Sequence, residues 1–283
     1  MAATRRLVTV PPTAGVPDPV PLDLPGRGRT VVTDVGPRDA PALLLLHSVA
    51  CTGLLTWYPA LDRLARDHRV VVFDQRWHGR GIRSPEFRLA DCAGDVTAVA
   101  DALGIGRFAL GGYSMGGMVA QLVAHAEPER VTGLVLCSTA SNFRRGLRQS
   151  VALDVFGRTL GQLRERVQLP VAPGAPLRRR VEDHRWWLRE FRSTTPWEIA
   201  VAVDEIGRFD STRWLPTLRL PAAVVVTARD RFISPEHQRS LARRIPGAAT
   251  YEVAAGHAAC VLAADRWVPA LLAAVHSLRG RSS

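Results

Sequence analysis

Gly112-Tyr113-Ser114-Met115-Gly116 is the stretch from which the rest of the chain is read. Apolar residues precede it in Phe108-Ala109-Leu110, and an apolar, glycine-tolerant helical pattern follows from Met115 through Ala126. The order is strand, turn, helix. A serine at so tight a turn is driven toward a strained backbone conformation, and glycines two before and two after it let strand and helix cross closely. The hydroxyl then projects away from the sheet, which makes Ser114 a candidate nucleophile. Gly-x-Ser-x-Gly alone is common in turns, so the surroundings decide.

Working outward, strand and helix patterns alternate through most of the chain, which predicts an α/β fold: a mainly parallel sheet with helices on both faces. Val20 to Leu24 and Thr30 to Val35 read as an opening antiparallel hairpin. Ala42 to His47 and Arg69 to Asp74 read as buried strands with a helix around Tyr58 to Arg66 between them. Leu89 to Leu103 has helical periodicity and stops at Gly104. After the strand Val131 to Cys137 the rhythm breaks. It resumes with the strand Ala222 to Thr227, a helix Pro235 to Arg244, a strand Thr250 to Val253 and a terminal helix Arg266 to Leu278. The expected organisation is an extended tail over 1–19, a core over 20–140 and 219–283, and a helical insertion over 141–218.

A serine hydroxyl needs a base, and the base needs a partner that fixes its tautomer. In an open parallel sheet such groups gather beyond the carboxyl ends of strands. Asp230 follows the strand ending at Thr227, and His257 follows the strand ending at Val253. Asp210 lies upstream of its strand and Glu252 inside one, while His237 and His276 fall in helices. The order Ser114, Asp230, His257 is that of a nucleophile, acid and base on such a sheet. An oxyanion formed by attack of Ser114 on a carbonyl needs two donors. The backbone N–H of Met115 is one expected donor, and that of Val49, in the loop after His47, is the other.

With these residues in place the sequence resembles the α/β-hydrolase fold superfamily. Leu46-His47-Ser48-Val49 stands for the family's His-Gly-x loop, and Asp74-Gln75-Arg76-Trp77-His78-Gly79-Arg80-Gly81 for its Asp-x-Arg-Gly-His-Gly loop. The resemblance is closest to actinobacterial members carrying His-Gly-Arg-Gly-Ile-Arg-Ser, here His78 to Ser84. It implies triad roles for Ser114, Asp230 and His257 and a mobile helical cap made by the insertion. Ser48 and Trp77 depart from the pattern, each replacing a glycine. His78 belongs to the structural loop and carries no catalytic role.

The chain has 283 residues, 47 % of them hydrophobic, enough for one large core. Arg5 and Arg6 are not followed by an apolar stretch, and no run approaches the roughly 20 apolar residues of a membrane span. A soluble, cytoplasmic protein is expected. Cys51, Cys92, Cys137 and Cys260 are widely spaced and read as buried free thiols. No histidine or acid cluster has metal-ligand spacing, and Gly26 to Gly28 lies in a hairpin, so neither metal nor cofactor is implied.

The formal charge of +11 is carried by arginine alone, and twelve arginines against five acids between Ser141 and Arg192 account for +7 of it. The absence of lysine reads as the composition of a GC-rich genome rather than as a nucleic-acid face. The charged segment reads either as a solvated surface or as a field that steers an anionic substrate, a CoA thioester or an acidic acyl carrier protein. The expected activity is hydrolysis of a small-molecule carboxylic ester through an acyl-Ser114 intermediate. Trp186, Trp187, Trp197 and Trp214 suggest an apolar acyl or aryl pocket, or else the insertion's own core. The alternatives are a thioesterase or lactonase on an anionic substrate, a lyase or carbon-carbon hydrolase that uses the same triad, and a ligand-binding protein without turnover. Oligomeric state has no sequence signature here.

Overall fold

The computed structural model describes residues 11–143 and 177–279. Eight strands form one sheet: β1 (Val20–Leu24), β2 (Gly28–Val35), β3 (Ala42–Leu46), β4 (Arg69–Phe73), β5 (Phe108–Tyr113), β6 (Val131–Cys137), β7 (Ala222–Thr227) and β8 (Ala249–Val253). Their spatial order is β1-β2-β4-β3-β5-β6-β7-β8. β1 and β2 form the antiparallel edge, and every pairing from β4 to β8 is parallel. This is the α/β arrangement expected from the sequence.

Side chains alternate across a strand, so each central strand feeds two cores. Leu44, Leu46, Val71, Phe73 and Leu110 face α2 (Leu89–Ala102) and α3 (Met115–Ala126), while Leu43, Leu45, Val70 and Val72 face the opposite layer. That layer contains α1 (Gly53–Leu64) and Trp267 and Leu271 of a long C-terminal helix. A continuous apolar run such as Ala42 to Leu46 is thereby explained by burial on both faces.

The first helix starts earlier than the sequence reading places it. α1 starts at Gly53 because the Thr52 side chain accepts the Leu55 N–H at 3.1 Å and the Asp74 carboxylate accepts the Gly53 N–H at 2.9 Å. Pro59, a residue that favours the first turn of a helix, therefore sits inside it.

Between β6 and β7 the described chain forms α4 (Leu177–Phe191), α5 (Pro196–Arg208) and a 3-10 turn, Leu215–Thr217. α5 begins with a capping box in which Thr195 and Glu198 satisfy each other's backbone N–H groups. The rest of the expected insertion, 144–176 with six of its fourteen arginines, lies outside the described residues, as do 1–10 of the expected tail. Residues 11–19 form neither helix nor strand. They lie against α1 and α4, where the Pro11 carbonyl accepts the Tyr58 hydroxyl at 3.1 Å and Thr13 bonds Asp183. α6 (Pro235–Arg244) follows β7. After β8, a short turn of helix, α7 (Ala259–Leu262), precedes α8 (Ala264–Arg279), where a single helix from Arg266 is expected.

The loop after β4 is anchored by a buried ion cluster. Asp95 of α2 accepts two bonds from Arg76, at 2.9 and 2.8 Å, and one from Arg27 at 2.6 Å. Two guanidinium groups depend on one carboxylate that is 1 % exposed. Asp95→Ala leaves Arg76 charged and buried, and it should destabilise the protein by roughly 3–5 kcal/mol. Urea unfolding checks this; a loss under about 1 kcal/mol, the value for an exposed pair, would mean that solvent reaches the cluster.

Candidate active site

Ser114 stands one residue beyond β5 and immediately before α3, with φ 52° and ψ −115°. A non-glycine residue held in so sparsely populated a region costs about 1–3 kcal/mol. Its own backbone is held by Ser114 N–H to Cys137 O at 2.9 Å, with Gly117 N–H and the Thr139 hydroxyl donating to its carbonyl at 2.9 and 2.8 Å. The flanking glycines are required by space. A Cβ on Gly112 would fall 2.4 Å from the Gly116 carbonyl oxygen, and one on Gly116 would fall 2.3 Å from that of Leu46. The second contact also shows how closely the start of α3 approaches the loop after β3.

Four described non-glycine residues have positive φ: Ala50, Trp77, Ser114 and Ser138. They follow β3, β4, β5 and β6 in turn, so backbone strain is concentrated along the carboxyl edge of the sheet. Strain of this kind persists where surrounding structure over-determines it, and such places are commonly functional.

The structure brings Ser114, His257 and Asp230 together. His257 Nε2 lies 3.0 Å from Ser114 Oγ, and His257 Nδ1 lies 2.7 Å from Asp230 Oδ2. Asp230 Oδ1 accepts the N–H groups of Phe232 and Ile233, at 2.8 and 3.0 Å. Oδ2 also accepts from the Thr227 hydroxyl at 2.8 Å and Gln238 Nε2 at 3.1 Å. Burial alone would raise the Asp230 carboxyl. His257 and the two backbone N–H groups outweigh it and hold the carboxyl below its ordinary value. An ionised Asp230 fixes the proton on Nδ1 and leaves Nε2 free to accept from Ser114.

Met115 is the first residue of α3, so its N–H is among those a helix leaves without an internal partner. The loop carrying Val49 is organised by His47. His47 Nδ1 donates to the Ser48 carbonyl at 2.8 Å, and Nε2 accepts the Gln75 N–H at 2.8 Å. The Cys51 N–H also donates to the Ser48 carbonyl, at 3.3 Å. Because a trans peptide is planar, pinning the Ser48 carbonyl turns the Val49 N–H to the opposite side. Ser48 itself is buried and directs its hydroxyl to the Val49 carbonyl.

Burial pushes His47 from 6.5 down to about 4, and burial beside His47 pushes His78 down to about 3. A folded value below the unfolded one means that the unfolded chain takes up the proton first as pH falls. Stability from His47 is therefore complete above about pH 6.5 and lost toward pH 4, by roughly 3 kcal/mol from this residue. His78 adds a loss of the same sign. Urea titrations at stepwise lower pH should show the decline, whereas stability unchanged between pH 7 and pH 4.5 would contradict a neutral, buried His47.

The inserted helices are fastened beside this loop. Glu190 of α4, 3 % exposed, accepts from the Thr52 hydroxyl at 2.7 Å and from Arg80 at 3.0 Å. Thr194 accepts the Gly79 N–H at 3.1 Å, and Glu198 pairs with Arg83 at 2.7 Å. Three of the four tryptophans singled out in the insertion pack on the protein itself: Trp186 on Tyr58, Trp187 on Phe191 and Trp214 on His125. Trp197 is 73 % exposed. Trp77 packs on Phe87 within its own loop and donates its indole N–H to Ser84. Cys92, Cys137 and Cys260 are buried and Cys51 is partly so; all four are unpaired.

Sequence reasoning missed Thr227, Gln238 and Glu190. Each is an ordinary polar residue whose partner is remote or set by the turn geometry. Only the position of Thr227, the last residue of the strand before Asp230, gives a local signal.

A family model for the alpha/beta hydrolase fold matches residues 41–264. The chain belongs to the α/β-hydrolase fold family. It is 31 % identical over 263 residues to polyketide synthase ThaQ of Burkholderia thailandensis, covering 89 % of this chain and 12 % of that protein. The chain thus spans about an eighth of the synthase's length, and 41 % and 46 % of two further curated relatives. It is 28 % identical over 262 residues to a pimeloyl-[acyl-carrier protein] methyl ester esterase of Stenotrophomonas maltophilia, covering 88 % of this chain and 94 % of the esterase. Among solved structures, a hydrolase from Pseudomonas aeruginosa PA01 shares the fold, with TM-score 0.76 and 24 % identity over 93 % of this chain and 99 % of that one. Among the described residues no helix is long and apolar enough to cross a membrane.

Proposed function

We propose that this chain is a serine hydrolase that cleaves a carboxylic ester through an acyl-Ser114 intermediate. The observation that carries the reading is the continuous line from Ser114 Oγ through His257 to Asp230, with separations of 3.0 and 2.7 Å. In this mechanism His257 Nε2 takes the Ser114 proton as Oγ bonds to the ester carbonyl carbon. The oxyanion is held by the N–H groups of Met115 and Val49. Collapse of the tetrahedral intermediate breaks the bond to the leaving alkoxide, which takes the proton from His257. Water then gives a proton to His257 and attacks the acyl carbon, and Ser114 Oγ leaves reprotonated. Asp230 stays ionised throughout and stabilises the imidazolium.

In this reading the inserted helices form a cap over the site, joined to the core through Glu190, Thr194 and Glu198. The substrate is a small to medium ester with an apolar acyl or aryl portion. Because Trp186, Trp187 and Trp214 pack on the protein, an apolar pocket would draw on other side chains.

A second reading, a thioester or lactone on an anionic acyl group, is favoured by the +7 segment, whereas the name of the Stenotrophomonas maltophilia relative, a methyl ester esterase on a carrier-linked acyl group, fits an oxyester. A panel of p-nitrophenyl esters, lactones and acyl-CoAs, run on wild type and Ser114→Ala, separates the two. Turnover of oxyesters well above thioesters supports the first, the reverse supports the second, and no turnover in the whole panel contradicts both.

A further inference from the structure

Tyr113, the residue before the nucleophile, is fully buried. Its ring meets Trp57 at 6.4 Å and Trp267 at 5.6 Å, both edge to face, and its hydroxyl donates to the backbone carbonyl of His257 at 2.7 Å. Burial pushes this phenol far above its usual range, so it donates as a neutral group. The side chain of the elbow thus grips the main chain of the base, from a position fixed by two tryptophans.

A second grip acts on the acid. Thr227 ends β7, and its hydroxyl lies 2.8 Å from Asp230 Oδ2 and 3.1 Å from Ser138 Oγ. A threonine has one hydroxyl proton, and the ionised carboxylate is the stronger acceptor. Ser138 is therefore the donor to Thr227. Ser138 is completely buried and held at φ 48°. The sheet explains the alignment. Tyr113 pairs with Cys137 and Cys137 with Val225, so Tyr113, Ser138 and Thr227 occupy neighbouring ends of the parallel strands β5, β6 and β7.

We propose that Tyr113, Ser138 and Thr227 are positioning residues, a row of buried hydroxyls across three strand ends that holds Asp230 at one end and the main chain of His257 at the other. The grip of Tyr113 on His257 and that of Thr227, backed by Ser138, on Asp230 meet at the Asp230–His257 hydrogen bond and fix the base relative to Ser114. This inference rests on the serine-hydrolase reading above. A displacement of about 1 Å at a reacting group can cost 10²-fold in rate, so positioning of this kind acts on turnover more than on binding.

The test uses Tyr113→Phe, Thr227→Val and Thr227→Ser, with Ser114→Ala in parallel, on a p-nitrophenyl ester. Tyr113→Phe keeps the ring and loses only the hydroxyl, and it should lower kcat roughly 10-fold with KM unchanged. Thr227→Val removes a donor from Asp230 and leaves more of its charge for His257. It should lower kcat and move the acid limb of kcat/KM upward by roughly 0.5 pH unit, while Thr227→Ser returns both toward wild type. Wild-type kcat and pH profile in both Tyr113→Phe and Thr227→Val, or a lowered Tm alone, would overturn the proposal. Should Tyr113→Phe not fold, the Thr227 pair decides. An active Ser114→Ala would sink the serine-hydrolase reading itself, whereas an inactive one beside unaffected Tyr113 and Thr227 variants would sink only the row of hydroxyls.

Discussion

Replacing Ser114 by alanine should lower kcat/KM for a p-nitrophenyl ester by at least about 10⁴-fold, the scale on which removal of a serine nucleophile acts. The change deletes one oxygen, 3.0 Å from His257 Nε2, and leaves the backbone bonds of the elbow in place. Alanine keeps the Cβ and with it the strain at φ 52°, so folding stability should stay within about 1 kcal/mol of wild type. Equal Tm with activity lost identifies a chemical role. Activity within tenfold of wild type would show that Ser114 is not the nucleophile.

Asp230→Asn should be nearly as damaging, about 10⁴-fold in kcat, for a different reason. The carboxylate accepts from Phe232 and Ile233 on one oxygen and from His257, Thr227 and Gln238 on the other. An asparagine oxygen kept on the Phe232 and Ile233 N–H groups turns its NH₂ toward three donors. His257 then keeps Nδ1 unprotonated to accept from that amide, its proton moves to Nε2, and it can no longer accept from Ser114. The stability effect has a definite sign. Because Asp230 is held below its ordinary value when folded, its contribution is present above that ordinary value and lost as pH falls through the folded one. The asparagine variant should lose this part of the acid dependence. Wild-type kcat in a folded Asp230→Asn protein would remove Asp230 from the mechanism.

Much of this site is legible in the sequence, for physical reasons that differ by residue. Ser114 is visible because Gly112 and Gly116 have no room for a Cβ, a constraint that leaves a mark in residue type. Asp230 and His257 are visible because a parallel sheet gathers loops at its carboxyl edge, so strand order alone places them on the same side. The start of α1 is harder to read, since Asp74 supplies part of its cap from a different strand. Gln238 and Glu190 are harder still: each acts through a partner distant in sequence, and nothing local distinguishes them from surface polar residues. The tryptophans of the insertion carry two readings at the sequence level, and ring packing on Tyr58, Phe191 and His125 is what separates pocket lining from structural contact.

The same physics bounds the substrate question. Elbow, acid and base are fixed by backbone geometry, which the fold repeats whatever the substrate. Choice of substrate depends on side chains around the site, and those follow no period.

The central claim is that Ser114 is the activated nucleophile, and covalent labelling by a fluorophosphonate tests it most directly. The folded protein, treated with the probe and followed by intact mass and peptide mapping, should gain a single adduct on Ser114 as esterase activity disappears. Ser114→Ala should gain none. A folded, enzymatically active protein that stays unlabelled at Ser114, or loses activity through labelling at another residue, would contradict the account.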